Sequence, residues 1–290
     1  MDEVIKLVEN WWDKISLVEE LDYDDEYINR QLRWREIEPL LVDVKTILDI
    51  GGATGAFSIP LAKMGFKVTH VDISDSMLEV ARSNATKKEV SKDNIHFVKA
   101  DARNLHMFKD NEFDLVLNFD GPISFSGDEA SNVIAESCRV TKKKLLISVS
   151  NKACMVATWL NYSMQSLGDI SRAVEEMALS GVWDRSKYNL DDHFTTISKL
   201  RAFTATEIKD ELEKNQVKVK HARSIGSLSH LYLLHLYRQM PSEEVKEAMN
   251  KICRVDGFID LCEKFDKEVM PNGPGSFRRA GLIALAEKCF

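Results

Sequence analysis

The five cysteines, Cys138, Cys154, Cys253, Cys262 and Cys289, include no C-x-x-C pair and no accompanying histidine spacing. Neither a zinc site nor a disulfide framework is signalled, and reduced thiols in a cytoplasmic protein fit that usage. Long apolar runs are lacking too, since no stretch approaches the roughly 18 to 20 residues that span a bilayer. The opening MDEVIKLVENWWDKISLVEE is acidic and broken by charge, the reverse of a secretory leader. No membrane partner is therefore expected. Basic clusters are short, Lys87-Lys88 and Lys142-Lys143-Lys144, in a chain of formal net charge -7. Nucleic acid is disfavoured as main partner, because phosphate binding relies on clustered Lys and Arg. Internal repeats and low-complexity tracts are absent as well.

What is present is enough apolar content, 44% of 290 residues, to bury one substantial core with an appended subdomain. Residues 1–44 read as a helical cover, with Val4, Leu7, Val8, Trp11, Trp12 and Ile15 at helical spacing. From Thr46 the pattern changes to short β-branched runs, TILDI, KVTHVDI, NIHFVKA, FDLVLNF and KLLISVS, separated by helix-length intervals. That alternation predicts an α/β core with a parallel sheet over 45–150. Residues 151–202 interrupt the rhythm as a helical insertion. Residues 203–240 resume it, and QVKVKHARS followed by SLSHLYLLHLY reads as a terminal antiparallel hairpin. The tail, 241–290, reads as helical, with Pro271-Asn272-Gly273-Pro274-Gly275 as a turn between helices.

The strongest chemical signal is LDIGGATGAF, residues 48–57, which sets Gly51, Gly52 and Gly55 between a predicted strand and a predicted helix. Glycines there let the backbone approach a ligand closely. Asp72 ends the second strand 21 residues after Gly51, where a carboxylate can accept from both ribose hydroxyls of an adenosine. Asp49, Gly51 and Gly55 resemble the D-x-G-x-G-x-G motif of the class I S-adenosylmethionine-dependent methyltransferases, small-molecule type. Ala53 stands where that family's middle glycine usually sits. The resemblance covers about 46–150 and resumes over about 203–237. It implies a Rossmann-like seven-stranded, mostly parallel sheet with a terminal antiparallel hairpin, flanked by the helical N-terminal segment, insertion and tail. It also implies S-adenosyl-L-methionine as cofactor and S-adenosyl-L-homocysteine as product. By position, Asp49, Gly51, Gly52, Ala53, Gly55, Asp72, Ile73, Asp101, Ala102 and Asn118 become the cofactor residues: Asp72 for the ribose, Asp101-Ala102 for the adenine, Asn118 for the methionine end. A nicotinamide dinucleotide would instead need glycine at 53.

Methyl transfer from a sulfonium is an in-line displacement on an activated carbon, so an enzyme of this class needs positioning more than a dedicated base. The small-molecule acceptor is expected to meet parts added to the common core. Tyr27, Trp34 and Trp183 offer aromatic faces for it, with core packing as the competing reading. His193, preceded by Asp191-Asp192, is the candidate base, and a cap or turn role stays open beside it. A nucleic-acid or protein methyltransferase, an NAD-dependent oxidoreductase and a non-catalytic cofactor-binding module are the alternatives. Against the first, strand four ends in Asn118-Phe119-Asp120-Gly121 and carries no N-P-P-aromatic turn.

Overall fold

The computed structural model describes residues 6, 9, 10, 13, 24–188, 194–195, 197–276 and 281–289. Five strands, β1 (Thr46–Ile50), β2 (Lys67–Asp72), β3 (Ile95–Lys99), β4 (Phe113–Asn118) and β5 (Thr141–Asn151), lie parallel in the order β3-β2-β1-β4-β5. Every residue of β4 is buried, as expected of a central strand covered on both faces. Helices α1 (Asp24–Ile37), α2 (Ser58–Lys63), α3 (Asp75–Lys87), α4 (Gly121–Ser124) and α5 (Ala130–Val140) are interleaved with these strands. Ser74 caps α3, its hydroxyl accepting from the Met77 amide at 3.0 Å. Two apolar clusters cover the sheet. One gathers Ile28, Ile47, Ile59, Leu61 and Leu146, the other Leu48, Val116, Ile134 and Ile147.

After β5 come α6 (Lys152–Leu167), α7 (Arg172–Ser180), β6 (Val182–Asp184), β7 (Lys199–Phe203), α8 (Ala205–Glu213) and β8 (Val217–Ser224). Strand β5 is forked: Lys144–Val149 pair with a late strand, β9 (Leu282–Lys288), whereas Ser150 and Asn151 pair with Ala202 and Phe203 of β7. The fork carries β6 and β7 beyond the end of the main sheet. There, Trp159, Met177, Trp183, Phe194 and Leu200 form a third, separate apolar cluster.

The α/β class holds, with nine strands among the described residues, and the antiparallel terminal pair is built differently from the expected hairpin. β8 pairs with β9, and SLSHLYLLHLY is helix α9 (Ser227–Gln239). Leu228, Tyr232 and Leu236 recur every four residues and pack on the first core cluster, a helical stripe hidden inside an apolar run. The buried Asp266 carboxylate accepts from the Gly226 and Ser227 amides at 2.7 and 2.9 Å and so satisfies the first turn of α9. The tail is helical only through α10 (Ser242–Cys253) and α11 (Phe258–Lys264) with the π-turn after it. Residues 271–275 are not helical, and β9 is the next described element. Among the described residues no helix is long and apolar enough to cross a membrane.

Candidate functional site

The strand order reverses between β1 and β4, and at the carboxyl ends of β1, β2 and β4 a cleft opens, the usual position of ligands in open α/β sheets. Its floor is the 49–57 loop with Val71–Ile73, and one wall is Ala100–Arg103. The other wall is Phe119–Pro122 with Phe125, Ser126 and Glu129, closed above by Glu26, Arg30 and Arg33 of α1 and by Lys199.

The loop is held to β2 by its backbone, since the Gly51 and Gly52 amides both donate to the Val71 carbonyl at 2.8 and 3.0 Å. Gly51 has φ +69, and a side chain there would collide with Pro122. Only glycine joins the loop to the β4–α4 turn so closely. Ala53 also has a positive φ, +48, so the position retains the glycine conformation without glycine. Its amide donates to Asp72 Oδ2 at 2.9 Å, and the Ser74 amide donates to Oδ1 at 2.9 Å. Burial pushes the Asp72 carboxyl up to about 6 against backbone hydrogen bonds from Ser74, Ala53 and Ile73, and nearby Asp13 adds to the rise.

Asp49, Gly51, Gly52, Ala53, Asp72, Ile73, Asp101 and Ala102 all line the cleft. Gly55 does not; its φ is +92 and its Cα faces Ile59, so it shapes the loop from behind. Asp49 is 2% exposed, hydrogen-bonded by Ser58 Oγ, and pushed up to about 6 by burial. Asp101 is chelated by Arg103, whose Nε and Nη2 donate to Oδ2 at 3.0 and 2.8 Å. Asn118 is placed differently from the expectation. Its side chain points away from the cleft and donates to Ser137 Oγ on α5 at 3.0 Å, leaving the next four residues to form the wall.

The expected acceptor residues fare less well. Tyr27 lies at a separate surface depression shared with Gln31 and residues 253–257. Trp34 packs on Phe57 at 5.5 Å and so backs the floor without lining the cleft. Trp183 is 1% exposed, sits between Tyr188 and Phe194, and donates its Nε1 to the Ile197 carbonyl at 2.7 Å. It is a core residue of the insertion, because a large ring with a satisfied N–H fills the centre of the third cluster. His193 falls outside the described residues.

Nothing in the linear pattern singles out Asp120 or Lys199. Glu26, Arg30 and Arg33 share one helix face at i, i+4 and i+7, a spacing that a search for charged stripes would have found. Asp120 adopts φ +64 and ψ -82 at the centre of a γ-turn, with the Gly121 amide donating to the Phe119 carbonyl at 3.0 Å. That conformation is strained for a residue with a side chain. Arg33 Nη2 at 2.6 Å and Ser148 Oγ at 3.1 Å, both on Asp120 Oδ1, hold it in place.

Residues 47–144 match the family model described as a methyltransferase domain. A demethylmenaquinone methyltransferase of Leptospira interrogans is 36% identical over 113 residues, 37% of this chain and 43% of the relative. A ubiquinone biosynthesis O-methyltransferase of Pelagibacter ubique is 28% identical over 163 residues, 52% of this chain and 64% of the relative. The chain thus spans about half the length of the curated relatives it matches. Among solved structures, magnesium protoporphyrin IX methyltransferase from Synechocystis PCC 6803 superposes with a TM-score of 0.56 at 14% identity, over 99% of this chain and 98% of that one. At that identity the likeness is one of fold.

Proposed function

We propose that the chain is a class I S-adenosylmethionine-dependent methyltransferase that transfers the methyl group of S-adenosylmethionine to a small-molecule acceptor, a reading supported by the methyltransferase-domain match over residues 47–144 and by the likeness of fold. The observation that carries this reading is the state of Asp72. The Ala53 and Ser74 amides hold one oxygen each, so the carboxylate is fixed at the cleft where the two vicinal hydroxyls of a ribose would meet it. The donor set fits the rest of such a cofactor as well. Asp49 and Asp120 line the cleft with carboxylates suited to a sulfonium and an ammonium, and Ile73, Met77 and Ala102 offer apolar contact for an adenine.

When bound, the cofactor supplies a methyl carbon already activated by the sulfonium. The residues of the chain then have three tasks. Asp72 anchors the ribose, and Asp49 faces the amino-acid end. Phe57, Phe119 and Phe125 exclude water, and Arg33 fixes the Asp120 carboxylate in the wall where the acceptor enters. We assign the acceptor to the space under Glu26 and Arg30 of α1 and Lys199 of β7. On this assignment residues 151–202 act as a cap chiefly by presenting Lys199, which Asp128 holds at 3.0 Å.

Melting with S-adenosylhomocysteine and with NAD tests the cofactor: stabilisation by the first alone is expected, and a response to NAD alone overturns the reading. Labelled S-adenosylmethionine incubated with a metabolite panel, read by mass, then identifies the acceptor. Label appearing in nucleic acid or protein and in no small molecule would refute the proposed acceptor class.

A further inference from the structure

Beneath the cofactor loop three polar side chains from three elements meet in the interior. Ser58 at the start of α2 bridges Asp49 of β1 and His70 of β2: its Oγ hydrogen-bonds Asp49 Oδ2 and lies 2.7 Å from His70 Nδ1. Ser58 and His70 are 0% exposed and Asp49 is 2% exposed. The loop lies directly on this group, since a side chain at Gly52 would run into both the His70 ring and Asp49 Oδ2.

The proton positions follow from the donor inventory. Ser58 carries one hydroxyl hydrogen, and an ionised Asp49 can only accept it. The Nδ1–H tautomer of His70 lets the ring donate to Oγ, with the Ala53 backbone a further hydrogen-bond partner of the ring, while Nε2 has no hydrogen-bond partner among the described residues. Burial pushes His70 down to about 4, so the ring is neutral near pH 7. The charged groups facing the trio are Asp72, beside Asp49, and Arg82 of α3, which lies over Phe97 while Phe97 packs on the His70 ring. Asp72 opposes ionisation of Asp49. Two aligned donors in series oppose that effect and orient the carboxylate toward the cleft.

We propose that Ser58 and His70 are positioning residues for cofactor binding, a buried relay that holds Asp49 ionised and aimed at the cationic amino-acid end of S-adenosylmethionine. The proposal rests on the S-adenosylmethionine reading. A purely structural trio would serve every adenosine ligand equally, whereas this relay serves only ligands that carry the amino-acid end.

Calorimetry near pH 7.5 with S-adenosylhomocysteine and with 5′-methylthioadenosine, which lacks that end, separates the two. Ser58→Ala and His70→Leu should weaken S-adenosylhomocysteine by about tenfold, the worth of one charge-assisted hydrogen bond, and 5′-methylthioadenosine by less than about twofold. His70→Asn, whose amide nitrogen replaces the Nδ1 donor, should recover most of the loss. The acid-side fall in S-adenosylhomocysteine affinity should begin at higher pH in Ser58→Ala than in the wild type. Equal losses for both ligands, or undiminished S-adenosylhomocysteine binding in folded Ser58→Ala, overturn the relay. A wild type that binds neither ligand removes the cofactor reading, and the relay with it.

Discussion

At Ala53 and Asp72 a single hydrogen bond links a strained backbone to a charged side chain. Ala53 holds φ +48 and donates its amide to Asp72. A left-handed conformation costs a non-glycine residue about 1 to 2 kcal/mol, partly offset in a glycine variant by the extra freedom of the unfolded chain. Ala53→Gly should therefore raise stability by about 1 kcal/mol in denaturant titrations, with the loop geometry kept. A loss of stability would mean that the methyl group makes contacts worth more than the strain. Asp72→Ala removes charge-assisted bonds to the ribose worth about 1.5 to 3 kcal/mol each, so S-adenosylhomocysteine should bind at least about tenfold more weakly. Unchanged affinity in the folded variant would reassign Asp72. Asp120, with φ +64 in the opposite wall, is the second place where the fold keeps strain at the cleft, and Arg33 holds it there.

Elements differ in how much of their role the sequence declares. Strands β1 to β5 announce themselves through short apolar, β-branched runs at helix-length intervals, most fully in β4, where every residue is buried, and the loop after β1 does so because its glycines answer to local backbone geometry. Helix α9 does not, since SLSHLYLLHLY satisfies a strand's composition and a helix's period together, and only Asp266, some forty residues later, caps the helical alternative. Strand β9 was illegible for a related reason: a short run, LIALAEK, becomes a strand through β5 and β8, both distant in sequence. The wall of the cleft proposed for the acceptor is equally non-local, drawn from α1, the β4–α4 turn and β7. Trp183 shows the same limit, because aromatic content cannot distinguish a pocket wall from a core. Its burial predicts a stability phenotype: Trp183→Ala should cost about 3 to 5 kcal/mol of cap stability, read as earlier proteolysis of residues 151–202 with S-adenosylhomocysteine affinity kept within about twofold. An intact cap with selective loss of turnover would return Trp183 to the acceptor pocket.

Across the whole molecule, folding raises three buried carboxyls, and two of them, Asp49 and Asp72, are the ones the proposed cofactor needs ionised. Burial raises Asp49, Asp72 and Asp266 to about 6, above the ordinary carboxylate range near 4. Between those limits the folded chain holds protons that the unfolded chain has released. Their contribution is therefore full below the unfolded value and is lost as pH rises through about 6. His70 works in the other direction: with its folded value lowered to about 4, it costs stability as pH falls from about 6.5 toward 4. Three carboxylates against one imidazole leave a net gain on mild acidification. Partnered carboxylates such as Glu36, Asp114 and Glu136, all held below their usual values, reverse the trend once pH falls below about 4. The ligand-free protein should accordingly melt higher near pH 5.5 than near pH 7.5, and lower again in stronger acid. Cofactor binding should run the opposite way, because ribose and ammonium both require the ionised carboxylates. With a single carboxyl titrating near 6, S-adenosylhomocysteine affinity falls by about tenfold from pH 7 to pH 5, and by more if Asp49 and Asp72 both contribute. Its stabilising effect on melting should shrink over the interval in which the free protein gains stability. A melting temperature that declines steadily from pH 7.5 to 5.5 without ligand would show that the buried carboxylates are not protonated on folding, and would remove the basis for an affinity that weakens in acid.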